Sequence, residues 1–356
     1  MSKMSIEAKR HALNGPTMGT RWTALFYAAE AFDPGPVRDA LQAAVDEVDV
    51  QMSAWRPDSD LMRLNAAPPG AWVEVPNRLM EVLRLALDIG RASGGAFDIG
   101  MGDAVAAWGF GPAAADPSLI RNALDAPRRP AHAVLELDSK SATVRKAAPI
   151  TLDLNGIAKG YGVDRLAETL HGFGISSGLV GVDGEMRACG LRSDGQPWTI
   201  AIEAPDPDRR APHSLLALQD AAVATSGDYR HKLVASGRHL SHTMDPRRGA
   251  PLIEPPASVT VVARTCAEAD AWATALMVLG VEAGCALAMR RGIDALFLMR
   301  DADGVQTRAV GPLFDDRAAS RAGGSDPPSP ETCPSMQLDI AGFANPYSKT
   351  DSLFSS

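Results

Sequence analysis

One short segment constrains the fold of this 356-residue chain more than any other. Residues 153–164 read Asp-Leu-Asn-Gly-Ile-Ala-Lys-Gly-Tyr-Gly-Val-Asp, at the junction of a predicted strand and a predicted helix. Three glycines lie in this segment, at positions 156, 160 and 162. They would destabilise a helix whose role was only structural, but they allow a ligand to approach the backbone closely. The free N–H groups at the start of such a helix can bind an anion.

Two side chains of this segment are candidates for ligand binding. Lys159 can pair with a phosphate group, and Asp153 can accept a hydrogen bond from a ring N–H or a ribose hydroxyl. An ordinary loop with a solvated lysine explains the same residues, so the segment alone leaves both interpretations open.

The remaining patterns predict both helices and strands. Apolar residues at helical spacing predict helices at 37–48, 77–93, 155–170 and 281–291, and the capping box Thr265-x-x-Glu268 begins a further helix. Alternating or apolar runs predict strands at 20–28, 133–137, 142–146, 150–154, 179–182, 198–203, 215–218, 258–264, 293–299 and 305–310. Residues 52–65 are predicted to form a loop.

Composition divides the chain into three parts. The predicted elements fall within a domain at residues 15–313, preceded by an N-terminal extension at residues 1–14. Residues 314–356 are polar and rich in Pro, Gly and Ser. Such a segment buries too little apolar surface to order itself, so we expect a flexible tail.

Charge and hydropathy argue against two classes of interaction. Lys and Arg number 35 against 43 Asp and Glu, and the net charge of −8 argues against sequence-independent binding of nucleic acid. No run approaches 18 apolar residues, so no membrane span is expected. The N-terminal residues lack a signal-peptide pattern, so we expect a cytoplasmic protein, or a periplasmic one only if a precursor segment is missing.

A pair of oxygen-bearing side chains lies on the helix that begins at Thr265. Asp270 and Thr274 are four residues apart and therefore share one face of that helix. A carboxylate and a hydroxyl are hard oxygen ligands, which suit Mg²⁺ and suit zinc poorly. The alternative is that Asp270 complements the helix dipole and Thr274 packs in the core.

Residues 242–249, His-Thr-Met-Asp-Pro-Arg-Arg-Gly, predict a turn. The turn presents His242 and Asp245 together, and a histidine can accept a proton near neutral pH. A surface histidine on a capped loop is the alternative.

Three further segments have a turn as their simplest interpretation. They are the Thr225–Ser226 pair at a predicted strand end, the Gly-Pro-Thr-Met-Gly-Thr turn at 15–20, and Phe-Asp-Ile-Gly-Met-Gly at 97–102. The short hydroxyls of the first are suited to hydrogen bonds with a phosphate or a flavin ring.

In this order, the segments resemble the FAD:protein FMN transferase family, often called ApbE-like, over roughly residues 15–280. The matching patterns are G-x-x-M-G-T (15–20), M-S-x-W (52–55), F-D (97–98), D-L-x-G-I-A-K-G-Y-x-V-D (153–164), T-S-G-D-Y (225–229), H-x-x-D-P-R-x-G (242–249) and A-D-A-x-A-T-A-L (269–276). Seven ordered matches form a highly specific set.

The resemblance implies an α/β (mixed α+β) fold with a two-lobed, T-fold-related architecture and FAD in the inter-lobe cleft. It implies Mg²⁺ bound by the backbone carbonyl of Gly156 and by the side chains of Asp270 and Thr274. The implied flavin-binding residues are Met18, Trp55, Asp98, Ile99, Gly100, Asp153, Lys159, Thr225, Ser226 and Met244.

The implied activity is Mg²⁺-dependent transfer of FMN from FAD to a Thr or Ser hydroxyl of an acceptor flavoprotein, with release of AMP. A reductase subunit is one candidate acceptor. His242 is the implied general base, and Asp245 orients or assists it. Two alternatives stay open: a Mg²⁺-dependent FAD pyrophosphatase that gives FMN and AMP, and a non-catalytic FAD-binding protein.

Two departures from the family pattern affect the expected contacts. Gly100 stands where the family has Thr, which implies a looser flavin or phosphate contact. Asp183-Gly184-Glu185 stands where the family usually has Gly-Gly followed by Asp or Glu.

Overall fold

The computed structural model describes residues 8–206, 211–228, 232–235, 238–301 and 304–314. The helices are α1 (Gly35–Met52), α2 (Asp60–Ala66), α3 (Asn77–Ala92), α4 (Gly102–Ala107), α5 (Pro117–Asp125), α6 (Ala158–Gly172) and α7 (Cys266–Arg291). The strands are β1 (Ala8–Thr17), β2 (Thr20–Ala29), β3 (Trp72–Glu74), β4 (Leu135–Asp138), β5 (Thr143–Lys146), β6 (Gly178–Val182), β7 (Glu185–Cys189), β8 (Trp198–Glu203), β9 (Pro212–Leu218), β10 (Ala221–Gly227), β11 (Lys232–Ala235), β12 (Arg238–Ser241), β13 (Met244–Asp245), β14 (Ala250–Pro251), β15 (Ser258–Ala263), β16 (Asp294–Asp301) and β17 (Gly304–Val310). The predicted mixed α/β fold is confirmed.

An eight-stranded antiparallel sheet forms the centre of the fold, in the order β1-β2-β6-β7-β10-β15-β16-β17. Strand β6, Gly-Leu-Val-Gly-Val, is buried at every residue because both faces of the sheet are covered. On one face, Trp22 and Phe26 of β2 pack against α1 and α6. On the other face, the β8–β9 hairpin covers the sheet with Trp198 and Ile200.

Helices α6 and α7 lie between this sheet and a second group of elements. That group contains α2, α3 and the three-stranded sheet β3-β5-β4, and its apolar residues pack against α7 through Ala271 and Ala275. The opposite side of α7 packs against β10, β15 and β16 through Ala273 and Leu276. The first turns of α6 and α7 are therefore enclosed by both groups.

Helix α7 is interrupted at Gly280, whose φ of 74° and ψ of −177° are not helical. The helices predicted from Thr265 and at 281–291 meet at this residue, which confirms both. Within the described part of the chain, α7 is the one helix with the length and mean hydropathy (1.6) of a membrane-crossing segment. A core helix meets the same criteria, and α7 packs against both α3 and the large sheet.

Several predicted boundaries differ from the structure. The strand predicted at 150–154 is wrong, because this segment bonds to a side chain and a loop rather than to a neighbouring strand. The loop predicted at 52–65 contains most of α2, which Ser59 caps by accepting a hydrogen bond from the Met62 N–H. Residues 8–14, assigned to an N-terminal extension, form part of β1. The tail from residue 315 lies outside the described residues.

Candidate functional site

The segment before α6 is held against the loop at residues 97–102. The side-chain amide of Asn65 donates to the Leu152 carbonyl (2.9 Å) and accepts from the Leu152 N–H (2.8 Å). The Asp153 N–H donates to the Ile99 carbonyl at 2.8 Å. These bonds bring Asp153 beside the predicted flavin-binding residues of the 97–102 loop.

Asp98 organises that loop. Its Oδ1 accepts hydrogen bonds from the N–H groups of Gly100 (2.8 Å) and Ala131 (3.0 Å). Burial raises the pKa of Asp98, and these two hydrogen bonds partly offset that effect. A Cβ at Gly100 would lie only 2.6 Å from Ile150 Cδ1, so the threonine of the family pattern would fit here only if Ile150 moved.

Asp153 begins the turn into α6. Its two carboxylate oxygens accept from the Asn155 N–H (2.9 Å) and from Asn155 Nδ2 (3.0 Å). Burial raises its pKa to about 6, so the carboxylate is mostly ionised at neutral pH and can accept a hydrogen bond from a ligand.

Glycines allow α6 and α7 to touch where both helices begin. The Gly160 N–H donates to Asp270 Oδ2 at 3.1 Å, and a Cβ at Gly160 would lie 2.4 Å from the Cys266 carbonyl oxygen. A Cβ at Gly156 would lie 3.2 Å from Thr274 Oγ1. The structure thus brings together Gly156, Asp270 and Thr274, the three residues predicted to bind a metal.

Strand β10 adds one hydroxyl group beside this contact, that of Ser226. Ser226 Oγ lies 3.2 Å from Thr274 Oγ1, whereas Thr225 Oγ1 pairs with Thr260 Oγ1 of β15 at 2.8 Å. Ser226 therefore joins the predicted metal site, and Thr225 is bonded within the sheet. Tyr229, the end of the T-S-G-D-Y pattern, lies outside the described residues.

The oxygen donors fit a hard cation. Asp270 is only 5% exposed, and its pKa is raised to about 7 by burial and then by the nearby Glu185 carboxylate. A buried carboxylate of this kind gains from a cation. No group of three or more His, Cys, Asp and Glu is placed to hold a metal within the described ranges, so a cation would rely on few protein ligands. Mg²⁺ is commonly bound in this way, with waters and phosphates completing its coordination.

Lys159 lies between two carboxylates at the start of α6. Its Nζ is 2.9 Å from Glu185 Oε1 and 3.4 Å from Asp183 Oδ2. Burial lowers the pKa of Lys159, but the carboxylates of Glu185, Asp270 and Asp183 outweigh burial and raise it overall. Glu185 was not among the predicted site residues. It could have been found from the family pattern, because it occupies the acidic position that follows Gly-Gly in that pattern.

Met18 and Trp55 lie at different depths. Met18 occupies the β1–β2 turn with a φ of 44°, and its Cε lies 3.3 Å from where a Cβ of Gly162 would be. It therefore contacts the first turns of α6. Trp55 is 47% exposed, so its ring is accessible to a ligand.

The β13–β14 hairpin carries Met244 and Asp245, and His242 lies two residues before its first strand. Met244 is buried in a cluster that includes Met101 and Ala104, and the Trp108 indole N–H donates to the Gly249 carbonyl at 3.0 Å. Asp245 Oδ1 accepts from the Arg247 N–H at 2.9 Å. These contacts attach the hairpin to α4 and α5, and they do not join it to Asp270.

We expect Lys159→Met to lower the free energy of unfolding by about 3 kcal/mol, because removing one partner leaves a buried carboxylate uncompensated. The value is at the low end of the usual range since the Lys159 side chain is 31% exposed, against 6% for Glu185. Urea unfolding measures the loss, and the double variant Lys159→Met/Glu185→Gln recovers part of it. Equal losses of unfolding free energy in the single and double variants would contradict the conclusion that Lys159 compensates the buried Glu185 carboxylate.

The raised pKa of Asp153 predicts a pH dependence of stability. Because the folded-state value of about 6 exceeds the ordinary 3.8, the folded protein holds this proton more tightly than the unfolded chain. The contribution of Asp153 to the free energy of unfolding therefore falls as pH rises from about 4 to about 6. Asp153→Asn removes this contribution. We therefore expect the Tm of the variant minus that of wild type to increase by a few degrees as the pH is raised from about 4.5 to about 7.5.

The control for that measurement is Asp138→Asn. Asp138 is an exposed carboxylate whose pKa is lowered by hydrogen bonds from Ser141 and Lys140. Any change with pH in the Tm difference between Asp138→Asn and wild type therefore has the opposite sign. Parallel Tm-against-pH curves for wild type and Asp153→Asn would refute the prediction.

Comparison with known proteins gives the same family over most of the chain. The ApbE family model matches residues 18–297. A protein of Vibrio cholerae named FAD:protein FMN transferase is 36% identical over 304 residues, which covers 85% of this chain and 91% of the relative. The protein of the same name from Escherichia coli K12 is 33% identical over 310 residues and covers 84% and 88%.

Solved structures agree with these sequence relatives. The flavin transferase ApbE from Vibrio cholerae has a TM-score of 0.75 at 34% identity, covering 85% of this chain and 97% of that one. The apo flavinyl transferase ApbE of Pseudomonas stutzeri has a TM-score of 0.76 at 35% identity, covering 90% and 98%. The relatives bear an enzyme name, and the chain spans nearly their whole length. This chain belongs to the ApbE family.

Proposed function

We propose that the chain is a Mg²⁺-dependent FAD:protein FMN transferase, which moves FMN from FAD to a Thr or Ser hydroxyl of an acceptor flavoprotein and releases AMP. One observation carries the proposal: Gly156, just before α6, lies against Thr274 of α7, and the next turn brings Gly160 against Asp270. The Lys159 ammonium interacts with the Asp270 carboxylate. The names of the bacterial relatives support the same activity.

The proposed cation site is formed by the Gly156 carbonyl, the Asp270 carboxylate and the Thr274 hydroxyl, and Ser226 adjoins it. A Mg²⁺ ion held there would neutralise negative charge on the pyrophosphate and on the departing AMP. These protein oxygens have a low total charge, so a bound cation would draw its remaining ligands from substrate phosphates and water.

The flavin half of the substrate is proposed to lie along the 97–102 loop. Asp153 accepts a hydrogen bond from a ring N–H or a hydroxyl, and Met18 and Trp55 provide apolar contact. Lys159 binds a phosphate oxygen. When it does so, its ammonium exchanges part of its interaction with Glu185 and Asp183 for the phosphate.

The transfer itself requires a proton acceptor. A new bond forms between the acceptor hydroxyl oxygen and the FMN phosphorus, while the bond from that phosphorus to the bridging oxygen breaks and AMP leaves with the electron pair. His242 accepts the hydroxyl proton, and Asp245 orients or assists it. The hairpin that carries these residues must then come close to the phosphates in the complex with FAD.

The test combines two readouts in one incubation. The protein is mixed with FAD, Mg²⁺ and a flavoprotein reductase subunit, and the denatured acceptor band is examined for covalent flavin fluorescence while AMP is quantified. We expect equal amounts of AMP and labelled acceptor, with no labelling when the acceptor's target Thr or Ser is replaced by Ala.

Other outcomes separate the alternatives. Free FMN and AMP with no labelled protein would establish an FAD pyrophosphatase instead. Tight FAD binding without AMP at saturating Mg²⁺ would establish a non-catalytic flavin-binding protein.

A further inference from the structure

Asp164 ends the 153–164 segment and has no role in the proposed reaction. It is 5% exposed, and every hydrogen bond described for its carboxylate goes to an element outside α6. Oδ1 accepts from the Cys266 N–H (2.8 Å) and from Arg187 Nη1 (2.6 Å), and Oδ2 accepts from the Ala267 N–H (2.9 Å).

These bonds tie α6 to the first turn of α7. The N–H groups at the start of a helix have no partner within the helix, and Asp164 accepts from two of them. The Thr265 hydroxyl accepts from a third, that of Glu268, at 3.3 Å. The start of α7 is thus fixed by one residue of its own and by one carboxylate from α6.

A second contact lies one turn away on both helices. Gly160 is four residues before Asp164, and Asp270 is four residues after Cys266, so one helical turn separates each pair. The Gly160 N–H donates to Asp270 Oδ2. Two contacts at this spacing fix both the axial position and the rotation of α7 relative to α6.

Strand β7 completes the arrangement. Glu185 and Arg187 are two residues apart and therefore share one face of the strand. Glu185 pairs with Lys159, and Arg187 pairs with Asp164. Arg187 supplies the positive charge that a carboxylate as buried as Asp164 requires.

We propose that Asp164, held by Arg187, is a positioning residue for the cation site: it sets the register of α7 against α6 so that Asp270 and Thr274 face Gly156. This inference rests on the proposed function. The demand for accuracy comes from the ion, since Mg²⁺ requires near-ideal octahedral geometry at about 2.0–2.1 Å. A small sliding or rotation of α7 would move two of the three protein ligands together.

The main test uses Asp164→Asn and Arg187→Gln. Residues that orient metal ligands typically change metal affinity by roughly 10- to 100-fold when they are replaced. We expect the Mg²⁺ concentration for half-maximal AMP release to rise by that factor, with most of kcat recovered at saturating Mg²⁺. Mn²⁺ binding, followed by loss of the free-ion electron paramagnetic resonance signal in the presence of FAD, should weaken in parallel.

Two controls separate positioning from general stability. Glu168→Gln also converts a carboxylate of α6 to an amide, but its side chain is 53% exposed in a surface ion pair with Arg165, so the metal midpoints should not move. Arg187→Lys retains the charge and should restore most of the metal affinity lost in Arg187→Gln. Should Asp164→Asn not fold, the two variants Arg187→Gln and Arg187→Lys provide the test, because Arg187 is nearer the surface than Asp164.

The outcomes are distinct. Folded variants with wild-type Mg²⁺ and Mn²⁺ midpoints and a lower Tm would overturn the inference and leave Asp164 a purely structural residue. A wild-type protein without Mg²⁺-dependent AMP release would instead overturn the proposed function.

Discussion

Replacing Asp270 with alanine is expected to remove Mg²⁺-dependent turnover of FAD, with a loss of roughly 10³-fold or more, because charge neutralisation by a metal contributes several kcal/mol in phosphoryl transfer. Asp270 is the only charged side chain among the three proposed protein ligands. AMP release measured against Mg²⁺ concentration gives the loss. A second readout is the rise in Tm that Mg²⁺ and FAD together produce in wild type, which should vanish in the variant.

The fold is expected to survive this substitution. Alanine leaves the buried Gly160 N–H without its acceptor, which costs roughly 1–3 kcal/mol, but it also removes a carboxyl group whose raised pKa shows that burial disfavours its charged form. Asp270→Asn retains an acceptor for Gly160 and should lose turnover with a smaller loss of stability. Glu282→Gln, an exposed change on the same helix, is the matched control. Wild-type Mg²⁺ dependence in Asp270→Ala would refute the metal assignment.

The residues of the proposed metal site each left a local signal in the sequence. The four-residue spacing of Asp270 and Thr274 fixes their shared helix face, and the glycines of 153–164 indicate close approach to the backbone. The structure adds the identity of one approaching group: at Gly160 it is the backbone of α7, with the Cys266 carbonyl too near for any side chain. Close approach was predictable there, but a helix rather than a ligand provides it.

The contacts that hold the site together left no such signal. Asn65 lies 87 positions from the segment it braces, and Asp164 lies 102 positions from the helix it caps. Their partners in these distant segments are backbone groups, which have no residue identity to recognise in a sequence. The strand predicted at 150–154 is wrong for the same reason, since its apolar run suits a strand equally well but the Asn65 amide takes the place of a neighbouring strand.

Replacing His242 with alanine is expected to lower kcat for transfer by roughly 10²- to 10⁴-fold, the usual contribution of a general base. The acceptor hydroxyl is neutral and must lose its proton as it attacks phosphorus, so the effect should fall on the chemical step rather than on FAD binding. Single-turnover labelling of the acceptor measures that step, and quenching of flavin fluorescence measures FAD affinity.

Two further variants test which residue at the β13–β14 hairpin removes the proton from the acceptor hydroxyl. His213→Ala removes an exposed histidine of β9 and should leave the rate unchanged. Asp245→Asn should lower kcat less than His242→Ala if Asp245 only orients or assists, because its Oδ1 already accepts from the Arg247 N–H. If His242→Ala instead transfers FMN at the wild-type rate while Asp245→Asn does not, proton removal belongs to Asp245. In that case the histidine that the family pattern singles out has no part in the chemical step.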